Sequence, residues 1–289
     1  MIDELGYQGM VGLSLAMYLW LVAAGLTIAF GVLGVLNFAH GSLYMLGAYL
    51  AFTLYGRTGV NFWLAILLAM AGVGALGFLL ERFFLRYLYG LDVAYQLILT
   101  FGFVLILDDA AKIIWGGQFM IPPMPSMFEG GVILFGRTFP IYNLFIILSG
   151  VLVALGLWLF LDRTWWGRLI RASASDREMA SAIGVNVSMV FSVVFILASM
   201  LAALGGALGI PVRVVAPGIG SSIIIQAFVV SIIGGLGNLR GAFVGALALG
   251  LLSAYGTRFF PTFELFLMYA LMAVVLLVRP QGLFVRSRS

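Results

Sequence analysis

Between Leu5 and Gly56 the chain carries no Asp, Glu, Lys or Arg, an uncharged run of 52 residues. As a single helix that run would reach about 78 Å, against a hydrocarbon core about 30 Å thick. It must therefore turn back on itself, and the one polar cluster within it is Asn37-Phe38-Ala39-His40-Gly41. The remainder has the same character: 63% of residues are hydrophobic, 9% are charged, and the mean hydropathy is +1.16. A soluble surface needs far more charge than this. The fold class is an all-α polytopic membrane protein.

Charges and turn residues divide the chain into spans. Two lie before Arg57, a third covers 58–80, and a fourth runs from about 93 to 115. A Gly/Pro-rich loop at 116–138 precedes a fifth span over about 139–161. Stretches 188–212, 218–236, 241–257 and 262–278 complete the set. The expectation is about nine transmembrane helices, within a range of eight to ten, some broken or re-entrant, with 241–257 as the re-entrant candidate. They form one transmembrane domain over 1–289, with a cytoplasmic loop at about 162–187. The first four residues, Met1-Ile2-Asp3-Glu4, lack a basic n-region and a cleavage site, so the first span reads as uncleaved. With the N-terminus outside, ten of the fifteen basic residues fall inside, as retention of Lys and Arg on the cytoplasmic side requires. The net charge of +4 is thus a topology signal, not a sign of nucleic-acid binding.

Residues 162–178 gather Asp162, Arg163, Arg168, Arg171, Asp176, Arg177 and Glu178, seven of the 26 charged side chains. Ser175 and Glu178 have capping-box spacing, and Gly184 stands where a helix ends in a left-handed residue. A helix over 176–183 would put Met179, Ala182 and Ile183 on one face. Such a short, charged, half-apolar helix between spans is suited to dock into a soluble partner.

Absent chemistry narrows the function. Lys112 is the only lysine, and no G-x-x-x-x-G-K-[ST] loop exists, so the chain is not itself an ATPase of that type. His40 is the only histidine and cysteine is absent, which leaves no metal pair and no nucleophilic triad of usual composition. No cofactor is expected. Asp108, Asp109 and Lys112 lie at i, i+3 and i, i+4 spacing on the fourth span, as a proton relay or as a structural ion pair. Asn37 and His40 mark the first break, which either lines a pathway or caps a helix at the inner surface. Small-residue pairs such as Gly241-x3-Gly245 are read as close helix packing.

Leu36-Asn37-Phe38-Ala39-His40-Gly41-Ser42-Leu43-Tyr44-Met45-Leu46-Gly47-Ala48-Tyr49 resembles the N-terminal signature of permease subunits of branched-chain amino acid ABC transporters. Gly167-Arg168-x2-Arg171-Ala172, Asp176, Met179-Ala180 and Ile183-Gly184-Val185-Asn186 are similar to that family's cytoplasmic loop. Gly234-Gly235-Leu236-Gly237-Asn238-x2-Gly241 and Arg279-Pro280-Gln281-Gly282-Leu283-Phe284 look like its closing motifs, so the resemblance spans about 10–286. Ser42 stands where many relatives carry an acidic residue. The resemblance implies an inner-membrane importer permease with no enzyme activity of its own. It would work with cytoplasmic ATPase subunits, a second permease that is a paralogue or an identical chain, an extracytoplasmic solute-binding protein and membrane lipid. ATPase coupling would rest on Asp176, Glu178, Met179, Ile183 and Gly184 with Arg168 and Arg171, and the pathway on Asn37, His40, Gly41 and Ser42. The cargo would be branched-chain or other hydrophobic amino acids, or alternatively urea or short amides. The rival class is a self-contained secondary transporter or channel built on Asp108, Asp109 and Lys112.

Overall fold

A computed structural model describes residues 2–284. Helix α1 (Ile2–Leu33) is the axis, and α2 (Ala39–Ala51) follows after an irregular segment and continues as a π-helical turn through Arg57. Next come α3 (Phe62–Phe83) and α4 (Val93–Trp115), then a hairpin of β1 (Gly131–Leu134) and β2 (Arg137–Pro140). After it, α5 (Ile141–Arg163) returns across the molecule to α6 (Trp165–Ser175) and α7 (Arg177–Ala182). The chain ends in α8 (Val187–Gly209), α9 (Ile219–Gly234), α10 (Leu239–Phe259) and α11 (Glu264–Val278).

Among the described residues, α1, α3, α5, α8 and α10 are long and apolar enough to cross a membrane. At 23 residues α4 is as long, but it carries Asp108, Asp109 and Lys112. Stretch 241–257, the re-entrant candidate, lies within the continuous 21-residue α10. The shorter apolar helices are instead α2, α9 and α11. The fold is all-α apart from the short β1–β2 hairpin. Its four pairs, from Gly131↔Pro140 to Leu134↔Arg137, fall partly inside the segment read as loop, where Gly136 supplies the positive φ its turn needs.

Most of the helices are capped by side chains. Asn61, Asp92, Thr164, Asp176, Asn186 and Asn238 each accept a hydrogen bond from a backbone N–H two or three residues on. Helices α2, α5, α9 and α11 start without a side-chain cap. For α2 the start lies well inside the bundle. Residues 34–37 are non-helical, and the chain doubles back along α1 so that His40 meets the carbonyl of Val22. Val22 lies eleven residues before Leu33, about 16 Å along the axis, which is half the thickness of a hydrocarbon core. Five residues of extended chain cover about the same distance.

Contacts with α4 show the direction of α2. Thr100 donates to the Leu36 carbonyl (3.5 Å), Ser42 to Asp108 (3.4 Å), and the Trp115 indole to Thr53 (2.7 Å). The chain from 36 to 53 therefore climbs beside α4 toward the hairpin side. Helix α9 runs the other way, with Phe228 against Phe38 (centroids 5.1 Å apart) and Ser231 bonded to Thr27 (2.9 Å). At their starts the two meet backbone to backbone, and a Cβ on Gly220 would sit 2.5 Å from the Gly41 oxygen. Only glycine fits at either position. Two half-helices thus diverge from mid-depth, their N-termini together.

Candidate functional site

At this meeting point the polar cluster of the sequence is buried. Asn37 is 2% exposed and His40 0%, and the Asn37 Oδ1 and His40 Nδ1 atoms lack hydrogen-bond partners. A carbonyl only accepts, so His40 Nε2 carries the proton that it donates to Val22 (2.9 Å). Gly41 packs on Gly220, and Ser42 donates to Asp108. The break is therefore no cap at the membrane surface. It lies in the interior, where irregular backbone persists only when protein covers it or it lines a cavity.

A cavity of about 260 Å³ opens at the start of α9, lined by Tyr44, Arg213, Ser222 and Gln226 among aliphatic side chains. Tyr44 shares a hydrogen bond with Tyr18, and the Arg213 guanidinium lies 4.3 Å from the Tyr18 ring centroid. Arg213 has no carboxylate partner among the described residues. Sequence reasoning missed this group because its members lie on three helices and one loop, with no shared motif.

On the opposite side, the charged island forms two helices, not one. Ser175 closes α6, and Asp176 is the residue that caps α7, accepting from Met179 N (2.9 Å). The capping box at Ser175 and Glu178 is thus corrected by one position. The reason lies in Asp176, whose extended backbone (φ −152°, ψ 109°) breaks the helix there. Gly184 has φ +87°, as the end of α7 requires. Ala180 faces the bundle at 2% exposure, whereas Met179 (60%) and Ile183 (69%) face away with Glu178.

Two arginines brace this loop from behind. Arg171 donates to the Leu161 carbonyl and lies 3.3 Å from Asp162, and Arg168 stacks on Trp165 at 5.1 Å. Arg177, unassigned by sequence reasoning, matters more. It donates to the carbonyl of Leu33 (2.6 Å), the last residue of α1, and covers the Phe191 ring at 4.8 Å. A cation at a helix C-terminus satisfies a free carbonyl and the helix dipole together. Through this contact α7 is fastened to the residue from which the chain turns back toward His40.

The family described as branched-chain amino acid transport system, permease component, matches residues 10–276. The chain belongs to this family. Permease protein BraD of a high-affinity branched-chain amino acid transport system in Pseudomonas aeruginosa is 32% identical, over 95% of this chain and 94% of its own. LivH of Escherichia coli K12, a permease protein of a system of the same description, is 30% identical over the same shares. A solved structure of PsaBC from Streptococcus pneumoniae in complex with Fab has the same fold, with TM-score 0.54, 12% identity and 97% of each chain covered.

In this permease the charged trio of α4 is divided. Asp109 and Lys112 pair at 2.8 Å, both exposed. Asp108 instead faces α2 through Ser42. The permease also holds a carboxylate that sequence reasoning read only as the end of a span. Glu81 is fully buried, accepting from Ser192 (2.5 Å) and Tyr89 (3.0 Å), and so joins α3, α8 and the turn between α3 and α4. Burial first, and the Glu81 carboxylate second, push the Tyr89 phenol well above its usual pKa. No motif marks Glu81. Its one sequence signal is an acidic residue beside Arg82 at the end of an apolar run.

Proposed function

We propose that this chain is the inner-membrane permease subunit of an ATP-binding cassette importer, moving branched-chain or other hydrophobic amino acids delivered by a solute-binding protein. The observation that carries this reading is α7. Its outward Met179 and Ile183 offer an apolar contact to a cytoplasmic ATPase, and Arg177 ties the same helix to the end of α1. A push on α7 then reaches the α1–α2 break directly, which is the kind of two-state linkage that alternating access requires. Asp176, Glu178 and Gly184 shape that contact, with Arg168 and Arg171 holding it from behind. Asn37, His40, Gly41 and Ser42 lie at the other end of the linkage, on the pathway side. The names of BraD and LivH support the cargo.

On this reading the α6–α7 side faces the cytoplasm, consistent with the concentration of arginine there. A second permease completes the pathway. The exposed Asp109–Lys112 pair weighs against a self-contained transporter built on that cluster.

The test is purification from native membrane followed by uptake of leucine, isoleucine, valine and urea into vesicles. A co-purifying ATPase, with leucine uptake that needs both ATP and a binding protein, is the expected result. Uptake driven by an ion gradient with this chain alone would refute the importer reading, and uptake of urea in place of leucine would refute the cargo.

A further inference from the structure

A groove of about 890 Å³ runs along the outside of the bundle between α5 and α10, with Trp20 of α1 as its floor. One wall is a single stripe of α5, Val151, Leu155 and Trp158, at the spacing that keeps side chains on one helix face. These three are exposed, so the groove opens sideways from the helical bundle. Phe243 closes the other wall and meets Trp20 edge-on at 5.2 Å.

The groove ends at a polar rim on the α6–α7 side. Asp162 lies 3.3 Å from both Arg171 and Arg240, which leaves the rim with one net positive charge. Arg240 is the outermost of the three, with its side chain 79% exposed. From Val151 to Asp162 the α5 stripe covers eleven residues, about 16 Å, or half a hydrocarbon core of about 30 Å. An apolar trench one leaflet deep, open to the side and ending in a cationic rim at the membrane surface, matches one amphiphile. We propose that it binds an anionic phospholipid of that leaflet, with an acyl chain along Val151, Leu155 and Trp158 and its phosphate on Arg240 and Arg171.

Lipid is favoured over a second copy of this chain by the rim. A packed helix would have to bring a carboxylate to Arg240 in register with the apolar stripe, whereas a phospholipid carries its anionic group and its apolar chain in one molecule. A phosphate competes with Asp162 for both guanidiniums and keeps the acyl chain in the trench. The site rests on neither the cargo nor the ATPase.

The test uses the full chain in detergent, with phosphatidylglycerol or phosphatidylcholine added and retained lipid read by native mass spectrometry. Phosphatidylglycerol should be held preferentially. Arg240→Gln should weaken its retention about fivefold and leave phosphatidylcholine unchanged, as expected for one basic residue at a membrane surface. Arg240 is exposed, so this variant should fold. Phosphatidylglycerol with brominated chains should quench tryptophan fluorescence, and Trp158→Phe should reduce the lipid-specific part to that of Trp20. Equal retention of both lipids, or retention unchanged by Arg240→Gln, would overturn the proposal. So would a dimer mass that Leu155→Arg abolishes while lipid adducts persist.

Discussion

Arg177 and Glu81 show what single side chains do in a bundle with few charges. A hydrogen bond to a charged group contributes about 1.5–3 kcal/mol net. Arg177→Gln removes such a bond at Leu33 and should lower stability by about 1.5 kcal/mol, the low end of that range, because the site is partly exposed. Its diagnostic effect is functional: ATP hydrolysis should persist while uptake per ATP falls, measured together in proteoliposomes. Glu81→Leu removes the acceptor of Tyr89 and leaves Ser192 only the Ser188 carbonyl, and should cost about 1–3 kcal/mol in thermal unfolding, more than Glu81→Gln. Neither residue was legible as functional from sequence. Asn37, His40 and Gly184 were legible as structural marks, since a polar residue in a long apolar run and a glycine after a short helix each have few physical explanations. Arg177 looked like one more arginine of a basic loop, because its partner is a backbone carbonyl 144 positions away.

At the level of elements, α7 is held by one turn of hydrogen bonds. Ala180 N donates to Asp176 O (3.1 Å), so Ala180→Pro deletes that bond and breaks the helix, at a cost of about 3 kcal/mol. The variant should insert normally, yet fail to co-purify with the ATPase. The half-helices make a separate prediction. Gly41→Val forces a side chain into the backbone of Gly220, and overpacking of this kind costs about 1–3 kcal/mol. Uptake should disappear while the purified chain still unfolds cooperatively, by circular dichroism. The long helices were readable because charge-free runs of about 20 residues must cross or fold back. The half-helices were not. A uniformly apolar stretch such as 219–234 has the same composition whether it begins at the surface or at mid-depth. Cap residues carried only part of that information: Asn and Asp precede five helices, whereas Phe38 and Gly218 supply no side-chain cap, but neither do Pro140 and Phe263 before α5 and α11.

Across the whole molecule, the first turn of α1 is joined to the end of α10 on the hairpin side. Glu4 accepts from Arg258 (2.6 Å) near the end of α10 and lies 3.7 Å from Arg137 in β2. The hydrogen bond to Arg258, then its charge, holds the Glu4 carboxyl below its ordinary value, so the folded chain binds fewer protons there than the unfolded one. The stability from this clamp is complete at neutral pH and is lost as pH falls through the lowered value. Unfolding temperature should therefore decline on acidification into that range, and Glu4→Gln should flatten the decline. The crossing count was less legible than the class, because two spans expected to be whole begin at the centre. That centre has an electrical consequence. Each helix N-terminus carries about half an elementary positive charge, and here two of them face one another in the interior with no acidic side chain capping either. Asp108, reached through Ser42, is the carboxylate beside this pair, so replacing it with Asn should raise the barrier that a cation meets at Gly41 and Gly220.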